Sequence, residues 1–486
     1  MAGMSMAARS GLAAARTLRG LMQGKVVLPG EDAYLAAIQG RIVLPSEDAY
    51  NRARRIWNGA VNHYPALFAQ CETVQDVQAA IRIARAHQLP LSVRAGGYDW
   101  TGRALCHGGM VLDLSRMRAI SVDAQSRVAT VCGGATASDL AAAAAPHGLA
   151  AVTGMIGEGG MAGLTLGGGY GPLCGCFGLA LDNLLGAEMV LADGRRVTAD
   201  DGDNADLFWA LRGGGGNFGV VTAMRLRLHP LGKVLAGSIA FPWSEVEPIL
   251  SRYAEIAATA PDELTVAAAL LSGPDDRPML ILAPTWCGAP AEGERAIAAL
   301  QELGTPSFVR IAPATAGAMH GLLDGHLSQG RHYAIETRWL PELTPVSISA
   351  LAAGGCARTS ALSVLAIHPF HGAATRVAPE ATAFGLRRGH FLVEIIACWE
   401  PAIGEAGTAH RQWARALSET LAPAALPGGH PSLLAPDNHE QIAFAYGGNA
   451  ARLQYLKRRF DPDGVFASAI ALPARRARVG VGMAAR

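Results

Sequence analysis

Apolar and polar positions along this chain follow two periods. Period two marks the strands. Ala223-Met224-Arg225-Leu226-Arg227-Leu228 alternates as a strand with one buried face does, and Leu91–Val93, Val111–Leu114, Ser121–Asp123, Arg127–Val131 and Ala187–Leu191 are further short strands. Asp193-Gly194 predicts a hairpin turn into Arg196–Thr198. Helical spacing appears after Thr73, an N-cap with Asp76 in the box position and Val77, Ile81 and Ala84 on one face, ending near His87. Ser138 is expected to cap an alanine-rich helix from Asp139 to Pro146, and short helices are expected over Asp206–Leu211 and Ala450–Arg459. Beyond Pro230 the pattern changes. Strands at Val234–Phe241, Leu264–Leu271, Met279–Thr285, Ala361–His368 and His390–Trp399 alternate with helices, which predicts an antiparallel sheet covered by helices.

Glycine interrupts this pattern at three places. Thr153–Gly171 reads TGMIGEGGMAGLTLGGGYG, Arg94–Gly102 reads RAGGYDWTG directly after a strand, and Arg212–Thr222 reads RGGGGNFGVVT directly before one. Glycine lets a backbone approach a ligand closely, and its bare N–H groups suit a diphosphate. The interleaved Met, Ile, Leu and Tyr argue for burial and against a flexible linker.

Composition narrows the class. The 486 residues are 50% hydrophobic and 17% charged, with a formal charge of +1, which fits a compact protein of two or three domains and gives no case for nucleic acid. No run is apolar and long enough for a membrane helix. Eight cysteines show neither zinc nor disulfide spacing, so no metal is expected, and buried thiols point to a reducing, cytoplasmic setting. The N-terminus is rich in Ala and Arg and is read as a ragged extension, although such composition also marks transit peptides. Residues 25–34 and 41–50 are a local duplication, KVVLPGEDAY and RIVLPSEDAY.

The three glycine stretches in this order, between these strands, resemble the FAD-binding domain of the vanillyl-alcohol-oxidase / p-cresol-methylhydroxylase superfamily, and most of all its berberine-bridge-like oxidases. The likeness runs from about Asn62 to Pro230 and returns near Tyr446 to Pro473. It implies an α+β fold: a PCMH-type two-subdomain FAD-binding domain at 51–231 after an extension at 1–50, a substrate-binding domain at 232–435, and a return segment at 436–486. The cofactor residues it implies are Arg94, Ala95, Gly96, Gly97, Tyr98 and Asp99; Thr153, Gly154, Gly157, Gly159, Gly160, Gly163, Leu164, Gly168 and Gly169; Gly219, Val220 and Val221; and Asn449. Covalent members carry a histidine where this chain has Tyr98, and a cysteine at or beside Ile156. With both anchors replaced, FAD is expected to bind without a covalent bond, a tyrosyl ether at Tyr98 being the minority alternative. The resemblance implies that small residues around Gly159, beside Glu158, would leave room for oxygen.

Glu394 is the expected base. It stands five places before Trp399 inside an apolar run, where burial raises a carboxyl pKa towards neutrality. The rival reading is an edge-strand glutamate facing solvent, with Phe391, Val393 and Ile395 on the other face. Tyr446 is the second catalytic candidate, with a packed core tyrosine as its rival, and Asn449 is equally a helix N-cap. Trp100 and His368 are candidate substrate contacts, with His371 beside the latter. The implied activity is hydride transfer from an alcohol, amine or activated C–H of a small molecule, such as a secondary metabolite or sugar, to flavin N5, with reoxidation by oxygen or another acceptor. A dehydrogenase of the same fold, a catalytically silent flavin-binding module and a non-redox flavin protein stay open, and oligomeric state is unspecified.

Overall fold

The computed structural model describes residues 10–17, 39–273, 275–322, 327–401 and 407–473. The first copy of the duplicated segment, 25–34, lies outside them. The second copy supplies β1 (Arg41–Val43), which pairs antiparallel with β2 (Leu67–Gln70). β3 (Leu91–Arg94) and β4 (Met110–Asp113) complete a four-stranded sheet in the order β1-β2-β4-β3, where β4 runs parallel to both β2 and β3. The helix Val74–Ala86 covers it with Val77, Ile81 and Ala84 buried, and the expected capping box forms: Thr73 accepts from the Asp76 N–H while Asp76 accepts from the Thr73 N–H. Residues 10–17 are not ragged. They form a helix whose Ala14 and Ala15 are buried in this same core.

A second, antiparallel sheet is built from β5 (Ile120–Asp123), β6 (Val128–Cys132), β8 (Leu184–Val190), β9 (Arg196–Ala199) and β10 (Val220–Arg227), in the order β5-β6-β10-β8-β9. The two-residue strands β7 (Leu149–Ala150) and β11 (His229–Pro230) pair with each other. Between β6 and β7 the alanine-rich helix runs from Ala137 to Ala144. Its cap is Thr136, two residues before the expected Ser138, because Thr136 and Asp139 form the reciprocal box. The C-terminal helix Ala450–Phe460 returns to this core through Leu453 and Leu456.

The third sheet has seven antiparallel strands: β12 (Val234–Pro242), β13 (Leu264–Ser272), β14 (Pro278–Trp286), β15 (Phe308–Ala314), β16 (His332–Leu340), β17 (Val364–Phe370) and β18 (His390–Trp399). Their order is β15-β12-β14-β13-β17-β18-β16. β15 and β16 were not expected from the sequence. One face of this sheet is sealed by the helices Val246–Thr259, Pro290–Gln301, Pro345–Cys356 and Thr408–Leu421. Its other face packs Ala269, Leu271, Ile335, Ala366 and Ile396 towards Trp57, Tyr98, Trp100 and Ile156. No helix among the described residues is long and apolar enough to cross a membrane.

One buried ion pair links the turn after the glycine-rich stretch to the loop before β18 of this third sheet. Arg387, between β17 and β18, donates both terminal nitrogens to Asp182 at 2.9 Å. The Arg387 side chain is 2% exposed and that of Asp182 10%. Replacing Arg387 by Met strands the Asp182 charge in a dry site, and the expected loss is about 3–5 kcal/mol. The double variant Asp182→Asn with Arg387→Met is expected to recover part of that loss. Urea unfolding of the wild type and the two variants measures both effects.

Candidate active site

A cavity of 440 Å³ separates the inner face of the third sheet from the glycine-rich loops. Backbone contact builds its loop side. β3 delivers Ala95–Asp99, and this turn meets the loop that precedes the helix Met161–Gly167 without side chains between them. A Cβ on Gly96 would lie 2.4 Å from the Gly160 nitrogen, and one on Gly160 would lie 2.5 Å from the Gly96 nitrogen. Gly97 has φ +71, and Gly219, at the entry to β10, has φ +159 with a Cβ position 2.6 Å from the Val190 carbonyl oxygen. No described residue accepts a hydrogen bond from the N–H of Gly96 or Gly97. These donors, next to a cavity whose walls are otherwise mostly apolar, fit a long ligand with a diphosphate and a flat ring system.

The sheet supplies the opposite wall. Along β18, Phe391, Val393 and Ile395 enter the helix-covered core, so Leu392, Glu394 and Ile396 line the cavity. β18 lies between β17 and β16, with Glu394 opposite Ala366 on one side and Thr337 on the other. The edge-strand, solvent-facing reading of Glu394 is therefore corrected: the alternation is as expected, but its polar face is the cavity. Burial raises the Glu394 pKa, and His368, with Nε2 3.6 Å from its Oε1, offsets part of the rise.

Several polar residues here had no sequence-based prediction. Tyr170 lines the cavity from inside the glycine stretch. The His390 Nδ1–H donates to the Arg388 carbonyl at 2.8 Å, which leaves Nε2 to accept from the Tyr170 hydroxyl at 2.8 Å. Burial lowers the His390 pKa to about 4 and that of His430 to about 3, so both rings are neutral at pH 7. His430 lines the cavity, and neither of its ring nitrogens has a hydrogen-bond partner among the described residues. Tyr170 and His390 both lie in stretches the sequence had marked, in the GGGYG run and at the start of β18. His430 sits in irregular chain with no motif around it.

Most of the expected cofactor residues converge on this cavity. Ala95, Gly96, Gly97, Tyr98 and Asp99 line it, as do Gly154, Gly159, Gly160, Gly163, Leu164 and Gly169, and Gly219, Val220 and Val221. Trp100, His368 and Ile156 line it too, whereas Glu158 is exposed. Tyr98 stacks on Trp57 at 5.3 Å, and Trp57 stacks on Tyr333 at 3.9 Å. The Asp99 carboxylate is held by Arg103, at 2.8 Å from its Nε, so it braces the turn.

Seven expected residues lie elsewhere, each for a local reason. Arg94 turns away to bond the Ala53 carbonyl. The Thr153 hydroxyl pairs with His320 at 2.8 Å. Gly157 packs on Ser138, and Gly168 backs onto His430. Tyr446 is fully buried in the core of the second sheet, with burial raising its pKa, and it does not reach the cavity. Asn449 caps no helix with its side chain. Its amide instead donates to the carbonyls of Pro379 at 2.7 Å and Thr382 at 3.0 Å, tying the loop before β18. His371 pairs with Thr265 at 3.2 Å, away from the cavity. Among the described residues no cluster of His, Cys, Asp or Glu could hold a metal ion.

Comparison with known proteins agrees with this geometry. Residues 65–200 match the family model for an FAD-binding domain, and 436–473 match the one for berberine and berberine-like proteins. The (R)-6-hydroxynicotine oxidase of Paenarthrobacter nicotinovorans is 40% identical over 221 residues, 45% of this chain and 45% of that protein, so this match spans less than half of the relative. The FAD-linked oxidoreductase YvdP of Bacillus subtilis is 30% identical over 470 residues, covering 94% of this chain and 99% of the relative. The crystal structure of 6-hydroxy-D-nicotine oxidase from Arthrobacter nicotinovorans superimposes with a TM-score of 0.82 at 30% identity, over 92% of this chain and 99% of that one. With the backbone-lined cradle, the cavity beneath it and a relative matched along nearly its whole length, the chain belongs to the berberine-bridge-like FAD-linked oxidoreductases of the vanillyl-alcohol-oxidase / p-cresol-methylhydroxylase superfamily.

Proposed function

We propose that this protein oxidises a small, ring-bearing alcohol or amine, with Glu394 as the base, FAD held without a covalent bond, and dioxygen as the final acceptor. The observation that carries the reading is Glu394 itself: a carboxyl of raised pKa in the cavity wall, beside His368 and across from the glycine cradle. FAD, when bound, supplies the hydride acceptor. Ala95–Asp99, Gly154–Ile156, Gly159, Gly160 and Gly219–Val221 would hold it through backbone donors and close contact. Glu394 takes the proton from the substrate O–H or N–H at its Oε atoms, and His368 steadies the carboxylate that must be charged to do so. Trp57, Tyr98 and Trp100 give the cavity flat apolar walls, which favour an aromatic or heteroaromatic ring over a fully hydroxylated one. Tyr98 packed on Trp57, and Ile156 without a nucleophilic atom, support a cofactor retained by enclosure alone.

Acid precipitation tests the retention mode. The expected outcome is a yellow supernatant over a colourless pellet. A yellow pellet would point to a bond at Tyr98, to be located by peptide mass spectrometry.

Turnover against a panel of hydroxylated pyridines, benzylic alcohols, secondary amines and oligosaccharides tests the base. Because the folded-state pKa of Glu394 is raised, kcat/KM is expected to climb with pH through a midpoint above the usual carboxylate value near 4.3. Glu394→Gln is expected to lower kcat/KM by about 10²–10⁴-fold and to abolish that limb. Tyr446→Phe, outside the cavity lining, is expected to leave the profile unchanged. Full turnover in Glu394→Gln would remove the assignment.

A further inference from the structure

A second cavity of 50 Å³ adjoins the first, sharing Met155, Ala366 and His368 with it. Its floor is the inner face of the third sheet. There, small side chains stand beside one another across strands. Ala267 on β13 is opposite Ala283 on β14, and Ala269 on β13 is opposite Ala366 on β17. Ser238 on β12, Ala268, Leu271 and Ile281 complete the walls. Protein interiors are packed to crystal density, and the lining of a void forfeits its dispersion contacts. Here the gap comes from two cross-strand alanine pairs in register, at the point where the large cavity meets His368.

Size and chemistry select the occupant. The pocket exceeds the roughly 10–15 Å³ that one water needs, but a buried water also wants two to four polar partners. Ser238 and His368 are the only polar side chains among the described walls, and the His368 Nε2 already faces Glu394 at 3.6 Å, so a water there would lack the partners it wants. The volume is also roughly a third of the 150 Å³ in which an engineered apolar cavity takes up benzene, so a ring does not fit. A small apolar gas does.

We propose that this alanine-lined pocket is a dioxygen-holding site that feeds the reacting cavity past His368. The proposal rests on the oxidase reading above. In the balanced step, dioxygen accepts two electrons from the reduced cofactor and two protons, and leaves as hydrogen peroxide while the cofactor returns to its oxidised form. Holding the gas in a dry recess raises its concentration at the site and keeps it apart from the ring-bearing substrate.

The test uses the FAD-loaded protein, and its xenon and reoxidation readouts need no substrate. Xenon-pressurised crystals of the wild type are expected to show a xenon atom between Ala267, Ala283 and Ala269. Ala267→Val and Ala283→Val are expected to lose it while keeping the bound-flavin spectrum. Photoreduced holoenzyme is then mixed with air-saturated buffer. Both variants are expected to reoxidise about tenfold more slowly than wild type, equal to 1.36 kcal/mol of barrier, while reduction by an active panel compound is unchanged. Xenon absent from the wild-type pocket would overturn the proposal. So would variants that lose xenon yet reoxidise normally. Slowed reduction with normal reoxidation would overturn it in favour of a recess for a substrate methyl group. A wild type that panel compounds reduce but air does not reoxidise would overturn the dioxygen site and leave the Glu394 hydride-transfer reading standing. Failure of every panel compound to reduce the wild type, with air reoxidation intact, counts against that reading and not against this site.

Discussion

The arrangement of the active site depends on a buried ion pair. Arg387 and Asp182 are far apart in sequence, and their pair ties the loop before β18 to the short turn Ala180–Asn183. Isolated in a low-dielectric interior, either charge would cost several kcal/mol. Together they offset that cost only in one geometry, the paired arrangement with both terminal nitrogens on the carboxylate. The remaining donors and acceptors are filled locally: Arg387 also bonds the Phe384 carbonyl and the Thr382 hydroxyl, and Asp182 accepts the Leu179 N–H. The pair therefore fixes the start of β18 against the segment that follows Gly169. That spacing separates the cofactor cradle from Glu394, and a one-residue slip of β18 would turn Glu394 into the helix-covered core.

Around that fixed spacing, the cavity is mostly apolar, and its few polar side chains are largely uncharged. Tyr170, His390 and His430 are neutral through burial, and Arg103 is held by Asp99. Glu394 is then the carboxyl nearest the sheet wall, and His368 its partner. A base works best when its own ionisation is the one that responds to pH near neutrality. Neutral neighbours serve that end, since a nearby fixed cation would pull the Glu394 pKa back down. The same dryness favours ligands that bring flat apolar surface and few charges.

Elements governed by neighbours in sequence were legible. The Thr73–Asp76 box, the Asp193-Gly194 hairpin and the β18 alternation each follow from contacts within a few residues. The glycine stretches were legible as a cradle because close backbone approach demands glycine. What was hidden depends on partners far along the chain. β16 carries Glu336 and Arg338, which spoil its apolar signal, and Arg338 is buried only because Ser418 on a distant helix accepts from it at 3.0 Å. Thr136 outcompetes Ser138 as a cap because Asp139 can reach back to it. Tyr446 and Asn449 carry side chains suited to catalysis, yet packing sends one into the core and the other to a loop. His430 has no motif because irregular chain places it.

The two faces of β18 explain how one strand serves both stability and chemistry. Phe391, Val393 and Ile395 bury apolar surface under four helices, at roughly 1.5–3 kcal/mol for each fully buried side chain. That burial holds the backbone rigidly enough for Leu392, Glu394 and Ile396 to face the cavity at fixed heights. The cost of desolvating Glu394 is thus met by residues that never touch a ligand. On β13 and β14, Ala267, Ala269 and Ala283 face the cavity side, whereas Leu270 and Leu282 on the opposite face are filled to zero exposure. A sheet able to fill one face so completely leaves space on the other only where small side chains have been placed.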